Sequence, residues 1–134
     1  MPTELLQVDT GDRSTTDLTE PLRRFCRGRG DGVCVVFVPH ATAGLAVMEL
    51  GSGSEADLAE LLSRLLPRDD SYVHRHGSKG HGADHLLPVL LGPSLSVPVA
   101  DGEPLLGTWQ SVVLVDTNPD NRRRQVRLTF LEDR

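Results

Sequence analysis

The run Val33-Cys34-Val35-Val36-Phe37-Val38 constrains this chain more than any other stretch. β-branched side chains are stiff at χ1 and crowd a helical turn, whereas they pack readily on a pleated surface. An apolar run without a polar break suits a strand buried on both faces. Asp31-Gly32 turns the chain into this run, and "GLAVMEL" follows it after "PHATAG". The second stretch is therefore predicted to pair beside the first.

Other segments supply the cover such a strand needs. "TELLQVDT" reads as a strand, and "TEPLRRFCRGRG" reads as a helix that places Leu22, Phe25 and Cys26 on one face. Thr19 is predicted to cap it, Pro21 is tolerated in its first turn, and Gly28 or Gly30 ends it. Ser54 opens a second helix through a capping-box pattern with Asp57. Its Leu58, Leu61, Leu62 and Leu65 form a core-facing stripe at helical spacing, and Pro67 stops it. "DHLLPVLLG" predicts a short helix limited by Pro88. "SLSVPVA" and "PLLGTWQ" read as a hairpin about Asp101-Gly102, with Pro98 pointing to an edge position.

"SVVLVD" and "RQVRLTFLED" supply the last strands, joined through Asn118-Pro119-Asp120. The final strand alternates, with Val126, Leu128 and Phe130 on one face and Arg127, Thr129 and Leu131 on the other. About seven strands and two or three helices result, which predicts an α+β fold with a mostly antiparallel sheet. At 134 residues the chain is read as a single domain spanning 1–134.

Charge and composition narrow the function classes. A net charge of −5 argues against a broad nucleic-acid footprint. Arg122-Arg123-Arg124 is a local exception: either a solvated strand entrance or an anion contact, since guanidinium forks match phosphate oxygens. No apolar run reaches the roughly 18 residues of a membrane helix, and the N-terminus lacks a signal-peptide pattern. A cytoplasmic location is the expectation. Cys26 and Cys34 do not form a Cys-x-x-Cys pair and read as small buried hydrophobes.

Four of the five histidines, His74, His76, His81 and His85, fall within "YVHRHGSKGHGADH". His74 and His76 point to the same side of an extended chain. His81 and His85 would align on a helix, but Gly80 and Gly82 argue against one there. His40 ends the apolar run, so the packed core would hold it rigidly. With Thr42 and Glu49 nearby in sequence, an imidazole, a hydroxyl and a carboxylate could share a cleft. Neutral imidazoles bind divalent metals, and a neighbouring carboxylate can orient a ligand or take a proton.

"HATAGLAVMEL", "YVH" and "DHLLPVLLGPSLSVPVADGEPLLGTWQ", in this order, resemble the YjbQ family of small trimeric proteins, described as secondary thiamine-phosphate synthases. The likeness runs from the first strand to the "VRLTFLE" end; "LLGPSLSVPV" with "GTWQ" is its most specific part. It implies a homotrimer and a small phosphorylated substrate; no membrane partner is expected from the missing apolar run, and the acidic balance argues against a nucleic-acid partner. The implied reaction joins a pyrimidine diphosphate to a thiazole phosphate and releases pyrophosphate. A non-catalytic trimer that binds a metal or phosphorylated ligand is the rival.

By this resemblance His40, His74 and His85 are the metal-ligand candidates for a divalent ion, zinc or magnesium. His40, Thr42 and Glu49 are the catalytic candidates, and Arg122, Arg123 and Gln110 would meet the substrate's phosphates. His76 and His81 match no family position and are expected to face solvent, and Trp109 to pack in the core or at a subunit contact. The chain departs from the family pattern at Met48, where an Asn is usual, and at Leu87, where a Lys is usual. Loss of that amide and ammonium weakens the expected hold on a phosphorylated substrate.

Overall fold

The computed structural model describes residues 1–133. Its elements run β1 (Thr3–Asp9), β2 (Thr15–Asp17), α1 (Thr19–Cys26), β3 (Gly32–Phe37), β4 (Gly44–Met48), α2 (Ser54–Leu65), α3 (His81–Leu91), β5 (Ser94–Ala100), β6 (Glu103–Pro104), β7 (Ser111–Val115) and β8 (Arg123–Glu132). One sheet has five strands in the order β1-β8-β3-β5-β6, and a second has three in the order β2-β7-β4. Every pairing is antiparallel. The α+β reading holds, but the strands are divided between two sheets.

That division decides which run is buried on both faces. β3 alternates: Cys34, Val36 and Val38 are buried, while Val33 and Val35 are half-buried and Phe37 is exposed. The strand with apolar cover on both faces is β7. Val112 and Leu114 join the core between the two sheets, which also holds Leu22 and Phe25 of α1, Val36 of β3 and Phe130 of β8. Val113 and Val115 face a second core with Leu62 of α2 and Leu87 of α3. The three-stranded sheet is thus a middle layer between the larger sheet and two helices. Each fully buried Leu, Val or Phe contributes about 1.5–3 kcal/mol relative to leaving it in water.

β4 does not pair beside β3. It pairs with β7, Leu45 opposite Leu114 and Val47 opposite Val112, so "PHATAG" carries the chain from one sheet to the other. β7 and β8 likewise belong to different sheets, and the Asn118-Pro119-Asp120 turn is a crossing between them. In the second arm of the β5–β6 hairpin only Glu103 and Pro104 are strand, and the GTWQ segment is irregular with a turn at Thr108 and Trp109.

Both expected helix caps are absent. Thr19 lies inside α1, where its Oγ1 accepts from the buried Val112 N–H at 3.0 Å; the Asp17 carboxylate accepts from the Thr19 N–H at 2.9 Å. Gly53, in the left-handed region, precedes α2, and no side chain caps it. Of the α2 stripe, Leu62 is buried and Leu58 half-buried, while Leu61 and Leu65 stay exposed at 50% and 58%. Trp109 is 73% exposed and is no part of the core.

Candidate functional site

Gly80 takes a left-handed conformation (φ 78°) immediately before α3. A Cβ there would meet the Arg68 Cα at 2.5 Å, so a bare backbone is required on both counts. The two glycines that argued against a helix instead start one and let it pack: Gly82 lies flat against Tyr72. His81 and His85 consequently sit one turn apart on α3, with their Nε2 atoms 3.2 Å apart. Gly77 and Ser78 lead into this helix, and the Ser78 N–H donates to the Asp120 carboxylate at 2.9 Å.

His74 and His76 of the preceding loop converge with His81 and His85 of α3. The His74 ring centroid lies 3.9 Å from that of His76, 4.3 Å from His85 and 5.5 Å from His81. His74, His76 and His85 each offer a ligand nitrogen, and these nitrogens lie within 4.8 Å of one another. The adjoining cavity, ≈ 340 Å³, is lined by His74, His76 and His81 together with Asp69, Asp70 and Lys79. Burial holds the His74 and His85 imidazoles below their ordinary pKa, and the neighbouring histidines add to the effect. Neutral rings with free lone pairs are the form that ligates a metal.

Behind the histidines stands a polar frame. Asp84 is fully buried and accepts from Arg68 at 2.5 and 3.1 Å and from the Thr117 hydroxyl at 2.9 Å. The hydrogen bond to Asp84 raises the Arg68 pKa, which locks that charge on. The backbone donor at Ser78 holds Asp120 ionised to lower pH than usual. His81, expected at the surface, is 8% exposed, and its Nδ1 lies 3.2 Å from Asp120 and 3.4 Å from Asp84. His76 is exposed, as expected, yet it is part of the cluster.

The remaining site candidates lie in a different network. His40 is not a member of the imidazole cluster among the described residues. Its Nε2 accepts from the Gln125 N–H at 2.9 Å, so that lone pair is already engaged. Thr42 is buried, and its hydroxyl accepts from Arg124 at 2.9 Å and from the Asn118 amide at 3.2 Å. Glu49, half-buried beyond β4, makes no side-chain hydrogen bond or ion pair among the described residues. Gln110 accepts from the Gly107 N–H at 2.8 Å and so closes its own turn.

Arg122 and Arg123 are exposed, and Arg122 pairs with Asp12 at 3.2 Å. Arg122 and Arg13 line a second cavity, ≈ 330 Å³, formed by the β1–β2 and β7–β8 connections. Arg124 belongs to neither surface, because it is 2% exposed and ion-paired with Asp116. The period-2 pattern carried the signal. Arg124 is two residues before Val126 and shares the inward face with Val126, Leu128 and Phe130.

These features define a class: a two-sheet α+β protein that gathers four imidazoles at the start of one helix. A family model described as "UPF0047 protein YjbQ-like" matches residues 4–133. The chain belongs to the YjbQ/UPF0047 family. A UPF0047 protein of Mycobacterium tuberculosis is 62% identical over 132 residues, covering 98% of this chain and 99% of the relative. A UPF0047 protein of Archaeoglobus fulgidus is 34% identical over 110 residues, 82% of this chain and 86% of the relative. Among solved structures, a protein of Aeropyrum pernix superposes with a TM-score of 0.90 at 29% identity, covering 99% of this chain and 100% of that one. A YbjQ-like protein of Sulfolobus solfataricus superposes with a TM-score of 0.91 at 24% identity, covering 98% and 97%. No helix among the described residues is long and apolar enough to cross a membrane.

Proposed function

We propose that this chain is an enzyme acting on a small phosphorylated substrate at a histidine-ligated divalent-metal centre, with His74, His76 and His85 as ligands. The observation that carries this reading is the approach of their three ligand nitrogens to within 4.8 Å of one another. The residues also pass a test of fit. His74 Nδ1 is buried without a hydrogen-bond partner, and an orphaned buried nitrogen is costly unless something occupies its lone pair. Imidazole donors suit zinc and its neighbours, whereas magnesium demands oxygen ligands. Zinc is therefore favoured over magnesium.

The resemblance to the YjbQ family, described as secondary thiamine-phosphate synthases, suggests the specific reaction. The thiazole ring nitrogen attacks the pyrimidine methylene carbon, the carbon–oxygen bond to the diphosphate breaks, and pyrophosphate leaves with the bonding electrons. A bound ion would supply charge neutralisation for the departing diphosphate. Of the chain's own residues, His74, His76 and His85 hold the centre, and Asp84 and Asp120 set the local charge. Arg122, beside its cavity, is placed to meet a phosphate. The protein works in the cytoplasm as a homotrimer in this reading; the exposed Trp109, Leu105, Val89 and Leu90 give each copy apolar surface to cover.

Metal analysis of the purified chain, followed by a pyrophosphate-release assay with the two precursors, tests the proposal. Bound zinc with turnover is the expected result. Bound zinc without turnover favours the rival, a non-catalytic binder. Absence of zinc binding by the wild-type chain overturns the centre itself.

A further inference from the structure

His81 has no role in the three-ligand centre, yet its surroundings are those of a ligand. It is 8% exposed, and its ring centroid lies 4.8 Å from that of His85, 5.3 Å from His76 and 5.5 Å from His74. Its Nδ1 faces two carboxylate oxygens, Asp120 Oδ2 at 3.2 Å and Asp84 Oδ2 at 3.4 Å. A neutral imidazole has one N–H and one lone pair. Two facing carboxylates favour the proton on Nδ1, and that tautomer presents its lone pair at Nε2. That Nε2 is 3.2 Å from the Nε2 of His85.

Two nitrogens bound to one tetrahedral zinc at ordinary bond lengths lie about 3.3 Å apart. The His81–His85 separation, already present on one face of α3, matches that spacing. Backing of a ligand imidazole by a carboxylate is the usual outer support of a metal-bound histidine, because it fixes the ring and its tautomer. His81 Nδ1 makes no hydrogen bond of regular geometry with either carboxylate. The charges agree as well: Arg68 offsets Asp84, so the frame behind His81 retains one negative charge, from Asp120, toward a cation.

We propose that His81 is a fourth imidazole ligand of this centre, binding through Nε2 with Asp84 and Asp120 holding it from behind. This rests on the reading of His74, His76 and His85 as a metal centre. The occupant is a borderline divalent cation such as Zn²⁺ or Co²⁺, for which four nitrogen donors form a complete tetrahedron. A substrate atom would enter as a fifth ligand.

X-ray absorption on the zinc-loaded wild-type chain tests this without any substitution. Four imidazole nitrogens are expected in the zinc shell; three with an oxygen overturns the inference. In parallel, competition with a chromophoric chelator compares the zinc affinities of wild type, His81→Gln and Asp120→Asn. A loss of about a hundredfold is expected for His81→Gln, and ~10–100-fold for Asp120→Asn, the usual effect of removing an outer-shell partner. In the Co²⁺-loaded protein His81→Gln should also alter the visible absorption. Unchanged affinity and spectrum in His81→Gln overturn His81 as a ligand while leaving the three-histidine centre standing. If wild type binds neither Zn²⁺ nor Co²⁺, both readings fall. If His81→Gln does not fold, the wild-type absorption measurement decides.

Discussion

Arg124 and Asp116 form a buried bidentate ion pair, with Nε to Oδ2 at 2.6 Å and Nη2 to Oδ1 at 3.0 Å. Arg124 lies on β8 of the five-stranded sheet, and Asp116 directly follows β7 of the three-stranded sheet. The pair therefore fastens the two sheets at the end where the β7–β8 crossing carries Thr117 and Asp120 toward the histidines. Thr42 and Asn118 complete the network, so the "HATAG" segment is tied to the same clasp.

Breaking this pair on one side leaves an uncompensated charge inside the protein. Arg124→Met is expected to destabilise the chain by about 3–5 kcal/mol, the usual cost of an orphaned buried charge. Adding Asp116→Leu to the same chain should recover much of that loss. Urea unfolding of wild type, the single variant and the double variant measures both steps. A double variant as unstable as the single one would show that packing, not charge, sets the cost.

Acid should destabilise the metal-free protein partly through His40. Burial holds its pKa below the ordinary 6.5, the nearby Arg124 guanidinium lowers it further, and Asp116 opposes. Below about pH 6.5 the unfolded chain takes up a proton that folded His40 resists. The unfolded state then binds more protons, so stability falls with acidification from about pH 6.5 down to the folded pKa. Above that window His40 contributes no slope. The melting temperature of His40→Gln should decline less between pH 7 and 5 than that of wild type, as a thermal-shift series would reveal.

Gly82→Ala offers a test of how the helix is seated. Alanine ordinarily favours a helix over glycine by up to ~1 kcal/mol. Here the new Cβ would lie 2.5 Å from Tyr72 Cβ and 2.7 Å from its Cγ. Tyr72 is anchored by its hydroxyl to the Pro67 carbonyl at 2.8 Å and stands two residues before His74. The expected outcome is a loss of about 1–3 kcal/mol from overpacking, together with weaker zinc binding. Chemical denaturation and chelator competition on the same sample read both effects; a stabilised variant with unchanged affinity would contradict this packing.

The cysteines should be inert in the folded protein. Cys26 and Cys34 are free and buried, and burial pushes the Cys34 thiol up to about 12 and the Cys26 thiol up as well. Since the thiolate is the reactive form, Ellman's reagent is expected to detect no thiol in the native chain and both after denaturation. Rapid labelling of the native protein would mean that α1 lifts away from β3.

The sequence by itself determined the local elements and the kinship. The period-2 pattern of β8, the apolar strand runs and the leucine spacing of α2 are properties of neighbours along the chain. The resemblance through "LLGPSLSVPV" and "GTWQ" named the family that the comparisons then matched over residues 4–133. The sequence points to β3 as the strand buried on both faces, because an apolar run shows that cover exists and not which layer supplies it. β7 takes that place once a second sheet and two helices pack around it.

The site follows the same division. The sequence points to His74 and His85 as members of one site, and the structure brings their rings together; it also brings in His76 and His81, which the sequence leaves to solvent, and leaves out His40 among the described residues. Tertiary structure decided otherwise through contacts between residues distant in sequence: Asp120 reaches Ser78, Arg68 reaches Asp84, and Gln125 occupies the lone pair of His40. A ring nitrogen's role depends on which donor or acceptor faces it. That partner is set by the packing of layers, which periodicity along the chain does not encode.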